Sequence, residues 1–196
     1  MTPLLILASA SPRRTELLAQ IGVPHRVRAA DVDETQWPGE APIDYVQRVT
    51  AAKAEAAWLN AEGLPVLAAD TAVVLGTELF GKPRDQSHGL AMLRALSGRT
   101  HRVLTAIALR TRPGLEMALS ETQVTFRTLE EAEQIRYWST GEPLGKAGGY
   151  AVQGFAAAFI TRIEGSYSGV MGLPLAETAQ LLSTAGVPMW QTGADE

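Results

Sequence analysis

The chain has 196 residues, 46% of them apolar, which suits a single domain over 1–196 with a sizeable core. Its net charge is −4, so no global basic field draws it to nucleic acid or to an anionic membrane, and any hold on phosphate must be local. The absence of cysteine excludes disulfides, thiolate metal sites and cysteine nucleophiles, and fits the cytoplasm as the default compartment.

No apolar run approaches the roughly 18 residues of a membrane span, and the N-terminus lacks the pattern of a secretory leader, so neither membrane insertion nor secretion is expected. The run Leu4-Leu5-Ile6-Leu7 predicts a strand over 4–9. A turn with Ser9 and Ser11 leads into a helix over 12–21, with Ser11 as N-cap, Pro12 at its first position and Gly22 just past its end. Arg13 and Arg14 therefore fall in a first helical turn, where unpaired N–H groups and the macrodipole favour acidic residues instead. Two readings account for them. Either the guanidiniums are solvated or paired with nearby Glu, or they converge with the helix N–H groups on an anion such as a phosphate.

The polar stretch "AADVDETQWPGEAP" gathers Asp31, Asp33 and Glu34. Such a loop is simply solvated unless a further acid lies near, in which case it suits a hard divalent cation. A helix over 43–59 follows, and Val46, Val49, Lys53 and Ala56 share one of its faces. Lys53 interrupts that stripe and either snorkels to solvent or points into a cleft to meet a phosphate or carboxylate. A strand over 65–70 ends at Asp70, the position where open α/β sheets place their ligands, and a hairpin is expected in "TAVVLGTELF". Burial of Asp70 requires a cation or hydrogen bonds; a turn or capping role after the strand serves the segment equally well. Lys82 and Arg84 in "GKPRD" precede a helix over 85–97 that Asp85 can cap.

In the second half, 101–109 and 122–128 read as adjacent strands, and 129–138 as a helix after Thr128 with Glu131 in the capping-box position. The segment "GKAGGYAVQG" combines Lys146 and Gln153 with four glycines, which suits a loop whose backbone approaches a ligand while an amide reads hydrogen-bonding edges. Further strands are expected at 158–163 and 167–171. A last helix runs over 174–186, and the remainder "VPMWQTGADE" is expected to fray. The three histidines lack the spacing of a zinc site, and neither a GxxxxGK[ST] phosphate loop nor a GxSxG elbow occurs. The order of elements predicts α/β with α+β features in the second half.

Taken together, "LASASPRRTELL", "VDET", "AAKAEAA", "AADT", "GKPRD", "LSGRTHRVLTAIAL", "VTFRTL", "PLGKAGGYAVQG" and "GLPLAET" resemble the Maf family of nucleoside triphosphate pyrophosphatases, from Leu5 to about Leu182. The resemblance implies a Maf/ITPase-like fold, a long bent mixed sheet flanked by helices with two lobes around a deep cleft. It implies hydrolysis of a nucleoside triphosphate between the α and β phosphates with a divalent cation, Mg²⁺ or Mn²⁺. It places Ser9, Ser11, Arg13, Arg14, Lys53 and Lys82 on the phosphates, Glu34 and Asp70 on the metal, and Asp70 in catalysis. Arg13, Thr71 and Gln153 match the branch that acts on dTTP and UTP; the branch acting on 7-methyl-GTP carries tryptophan, glutamine and glutamate there. The competing readings are a 7-methyl-GTP pyrophosphatase and a non-hydrolysing nucleotide-binding regulator of cell division. A homodimer is implied at the level of the family, with no nucleic-acid or membrane partner.

Overall fold

The protein is described here by a computed structural model over residues 2–191. Strand β1 (Leu5–Leu7) is buried at every residue because it lies between two parallel neighbours, β2 (His25–Val27) and β3 (Val66–Leu75). The short edge strand β2 carries no alternation that would have announced it, and is ordered by pairing with β1. Helix α1 (Pro12–Gln20) connects β1 and β2. Ser11 holds its N-cap position in extended backbone, although its side chain makes no capping bond, and Gly22 takes a φ of +64° just beyond the end. Helix α2 (Pro42–Trp58) presents Tyr45, Val46, Val49, Thr50, Lys53, Ala54 and Ala57 as its buried face.

Among the described residues, seven strands form one mixed sheet in the order β2-β1-β3-β5 (Thr100–Arg110)-β6 (Leu115–Phe126)-β7 (Ile160–Glu164), with β4 (Glu78–Phe80) also on β3. Strand β3 does not end at Asp70 but continues through Leu75, because β5 (Thr100–Arg110) pairs with it antiparallel from Val66 to Val74. The expected hairpin survives as the β3–β4 pair, Val73–Leu75 against Glu78–Phe80. The other edge of β3 is shared, since β1 meets it at Val66 and Leu67 and β4 only from Val73. Between them, Ala68 to Ala72 pair with a strand on the β5 side alone, and Asp70 sits in the middle of that notch.

Strand β6 (Leu115–Phe126) begins well before residue 122, since "LEMALSE" is drawn into the ladder by β5 despite its helix-favouring composition. Helix α3 (Gln86–Leu96) is capped by Asp85, whose Oδ1 accepts from the His88 N–H at 2.8 Å. Helix α4 (Glu131–Ser139) starts later than expected, with Glu130 at the cap rather than Thr128. A 3₁₀ turn over Phe155–Phe159 precedes β7 (Ile160–Glu164).

The strand expected at 167–171 is a short helix, α5 (Tyr167–Met171): the Ser166 Oγ accepts from the Gly169 N–H at 2.9 Å and starts the turn, and Gly172 ends it at a φ of +117°. Helix α6 (Leu175–Thr184) is followed by a tail that does not fray over its described part. Val187 is buried, and the N–H groups of Trp190 and Gln191 donate to the carbonyls of Ile21 and Gly22 at 2.7 and 2.9 Å. Residues 192–196 of the expected frayed end lie outside the described residues.

Apolar packing divides along the sheet. One cluster joins β1, α1 and α6 to the outer ends of β3 and β5, with Leu7, Leu18, Leu109 and Leu182 among its members. A second joins α3, α4 and the opposite ends of the strands through Val73, Leu93, Phe126 and Tyr137. A cleft opens between them.

Candidate active site

Ser9, Ser11, Arg13, Arg14, Glu34, Lys53, Asp70, Thr71, Lys82 and Gln153 all line one cleft of about 480 Å³. They arrive from the β1–α1 turn, the loop before α2, the helix α2, the notch in β3, the segment after β4 and the glycine-rich loop. Asp31 and Asp33 do not line it. The Asp33 Oδ1 instead accepts from the Thr35 N–H at 2.9 Å and shapes the loop, so only Glu34 of that acidic stretch reaches the cleft.

Asp70 and Lys53 are each 8% exposed, and neither is alone. The Lys53 Nζ lies 2.7 Å from the Asp70 Oδ1 and 2.7 Å from the Glu34 Oε1, so one ammonium bridges two carboxylates. Of the two readings of Lys53, the cleft is the observed one. The Lys82 Nζ stands 3.8 Å from the other Glu34 oxygen. Partial burial opposes ionisation of Glu34, but the hydrogen bond and charge of Lys53 outweigh it, with Lys82 and Arg14 adding, and its carboxyl sits below the ordinary glutamate value.

Two positioning residues lie outside the set expected from the sequence. The Tyr45 hydroxyl donates to the Glu34 carbonyl at 3.1 Å, and the Arg48 Nη2 donates to the Thr35 carbonyl at 3.0 Å, so α2 holds the loop that carries Glu34. Burial, with Asp70 and Glu34 nearby, pushes the Tyr45 phenol up to about 12, which keeps it a donor. The signal was present in the spacing: Tyr45, Val49 and Lys53 share one helical face.

The arginines at the start of α1 are answered from across the fold. The Arg14 guanidinium donates to the Gly172 carbonyl at 2.7 Å, the Ser9 Oγ at 3.0 Å and the Thr71 Oγ1 at 3.2 Å, and the Arg13 Nε donates to the Met171 carbonyl at 3.2 Å. These carbonyls end α5, so the carbonyl end of one helix faces the cationic start of another. Gly172 is required at that point. Its left-handed backbone disfavours a side chain, and a Cβ would stand 3.3 Å from the Arg14 Nε. Thr71 passes the network on to Thr105 at 3.0 Å, and the Thr105 hydroxyl donates to the Gly169 carbonyl at 2.8 Å. Burial pulls the guanidiniums of Arg14 and Arg13 below the ordinary arginine value, against Asp70 near Arg14 and Glu16 near Arg13.

Among the described residues, no group of three or more acidic, histidine or cysteine side chains stands ready to hold a metal by itself. Glu34 and Asp70 supply two hard carboxylates, both bonded to the Lys53 ammonium. That set fits Mg²⁺ or Mn²⁺ arriving with a polyphosphate, because Mg²⁺ is commonly held by one or two carboxylates together with substrate oxygens and water.

The arrangement therefore combines a buried carboxylate, cations from three segments, and two serine hydroxyls around one hollow. It can neutralise a polyanion and hold a base beside it. Residues 4–185 match the family described as "Maf-like protein". The chain is 55% identical over 192 residues to the dTTP/UTP pyrophosphatase of Cupriavidus pinatubonensis (strain JMP 134 / LMG 1197), covering 92% of this chain and 96% of that one. It is 52% identical over 191 residues to the dTTP/UTP pyrophosphatase of Saccharophagus degradans (strain 2-40 / ATCC 43961 / DSM 17024), covering 95% and 91%. In fold it is similar to a HAM1 protein from Coxiella burnetii, with a TM-score of 0.50 at 16% identity over 93% of this chain and all of that one.

Proposed function

The chain belongs to the Maf family, and from that premise we propose that its cleft hydrolyses dTTP and UTP to the monophosphate and pyrophosphate. The observation that carries this reading is the Lys53 ammonium held between Glu34 and Asp70 at 2.7 Å from each, inside a cleft that also takes Arg13, Arg14 and Lys82. Burying the Lys53–Asp70 pair is costly, and charged groups held in a cleft at such a cost mark a site that handles a charged substrate.

In this mechanism Arg13, Lys82 and the N–H groups at the start of α1 draw in the triphosphate, and Ser9 and Ser11 orient it. Arg14 acts with most of its donors already committed, so it fixes the wall of the site and adds charge to it. Lys53 holds the Oδ1 of Asp70. The other carboxylate oxygen takes a proton from the water that attacks the α-phosphorus, the bond to the bridging oxygen breaks, and pyrophosphate leaves with the electron pair. Glu34 and Asp70 would hold a divalent cation, Mg²⁺ or Mn²⁺, which would add charge neutralisation at the phosphates and lower the pKa of water in the site. Gln153, with both a donor and an acceptor, reads the pyrimidine edge that dTTP and UTP share, while Thr71 and Arg13 shape the rest of the selective wall. We assign this work to residues 1–196 as one domain, acting on cytoplasmic nucleotide pools.

The test is Asp70→Asn assayed by released pyrophosphate. Turnover is expected to fall by about two to four orders of magnitude with nucleotide binding retained. Near-normal hydrolysis by that variant removes the role given to Asp70. Rates of the unaltered protein on dTTP, UTP and 7-methyl-GTP test the branch, and preference for 7-methyl-GTP overturns it.

A further inference from the structure

We infer that Lys146 is a further substrate-binding residue of this cleft, a preorganised cation that contacts the phosphate chain together with Arg13; the inference rests on the nucleotide reading above. Lys146 lines the same hollow and is half-buried. The other lysines of the cleft are engaged: Lys53 with both carboxylates, and Lys82 at the edge of Glu34. Lys146 makes no ion pair among the described residues. Its neighbour Glu142 is already occupied, accepting from the Phe155 N–H at 2.7 Å, the Ala156 N–H at 3.1 Å and the Tyr137 hydroxyl at 2.8 Å.

The position of Lys146 is set by backbone rather than by chance. The Gly148 N–H donates to the Gly81 carbonyl at 3.0 Å, tying the loop to the segment that carries Lys82, and the Gly149 N–H donates to the Lys146 carbonyl at 3.0 Å. Gly148 lies so close to Val73 of β3 that a Cβ would stand 2.9 Å from it. A loop packed this closely holds its lysine in the hollow before any ligand arrives. Lys53 and Lys82 balance Glu34 and Asp70 in formal charge, which leaves Arg13, Arg14 and Lys146 as the surplus positive charge of the cleft. Burial and the like charge of Arg13 both pull the Lys146 ammonium below the ordinary lysine value, and an anion between the two relieves that repulsion.

Tripolyphosphate binding by calorimetry, on the whole chain and on the variants Lys146→Met and Lys146→Arg, tests this independently of turnover. Lys146→Met is expected to weaken tripolyphosphate about tenfold and to raise the KM for dTTP with kcat little changed, while Lys146→Arg restores both to within about threefold. Unchanged affinity in Lys146→Met overturns the inference. Equal loss in both variants also overturns it, since the loop and not the charge then matters. Should Lys146→Met not fold, Lys146→Gln makes the same comparison. Failure of the unaltered protein to release pyrophosphate from dTTP or UTP defeats the proposed function instead, and leaves the calorimetric comparison standing.

Discussion

Arg14 and Lys53 make opposite uses of positive charge. Arg14 spends its planar fork on three neutral oxygens from β3, the serine turn and the end of α5, so it is first a strut. Arg14→Lys keeps the charge and loses the fork, and is expected to cost about 1–3 kcal/mol of stability in urea unfolding together with a rise in KM. Lys53 instead separates two acids. With Lys53→Met, Glu34 loses the hydrogen bond and the charge that hold its carboxyl below the ordinary glutamate value, and its titration followed by carboxyl NMR is expected to move to higher pH; an unmoved Glu34 titration means that Lys53 does not hold it. A third residue acts outside the chemistry. His101 is 2% exposed, its Nε2 lies 2.8 Å from the Tyr150 hydroxyl, and burial pulls its pKa from 6.5 to about 4. The unfolded chain therefore binds a proton that the folded chain refuses between those values, so this stability is complete above about pH 6.5 and is lost as pH falls towards 4. Between about pH 7.5 and pH 5 the loss is on the order of 2 kcal/mol, and His101→Gln is expected to flatten it in urea midpoints.

At the scale of elements, the site is a consequence of how β3 is shared. Because β1 leaves it after Leu67 and β4 joins only at Val73, the strand offers Asp70 mid-length, on rigid backbone, with the β5 edge fully paired behind it. Helix α5 is as important as its length is small, since its last carbonyls are what make an arginine pair tolerable at the start of α1. The glycine-rich loop is anchored by the Glu142 carboxylate, which accepts from two backbone N–H groups just past Gln153. Glu142→Gln turns an N–H donor toward donors, and is expected to cost about 1–3 kcal/mol and to raise the KM for dTTP more than it lowers kcat. A fall in kcat alone would show that this anchor does not govern substrate placement.

For the whole molecule, the hollow lies between apolar clusters of the core and its walls contribute charge, so occupancy of the hollow is coupled to the stability of the entire fold. A ligand that binds only the folded protein stabilises it by about 2.7 kcal/mol at one hundred times its dissociation constant, which for a chain of this size raises Tm by roughly 5–10 °C. Tripolyphosphate is expected to produce a concentration-dependent rise of that order in calorimetric scans, and thymidine a much smaller one. A larger shift from thymidine than from tripolyphosphate places the binding energy on the nucleoside rather than on the cations.

Much of the site was legible in the residues themselves, because a turn with Ser9 and Ser11 before Pro12, a lysine on an apolar helical face and an acid within an apolar run are local signals that depend on dihedral preference and periodicity. The ends of α1 and the Asp85 cap were legible for the same reason. What only the tertiary structure decided was pairing at long range: that β3 runs on past Asp70, that 115–121 joins a strand despite its composition, that 167–171 closes into a helix, and that Lys53 settles between Glu34 and Asp70. These outcomes depend on which distant backbone satisfies each N–H and which cation answers each buried acid, and neither partner is adjacent in sequence.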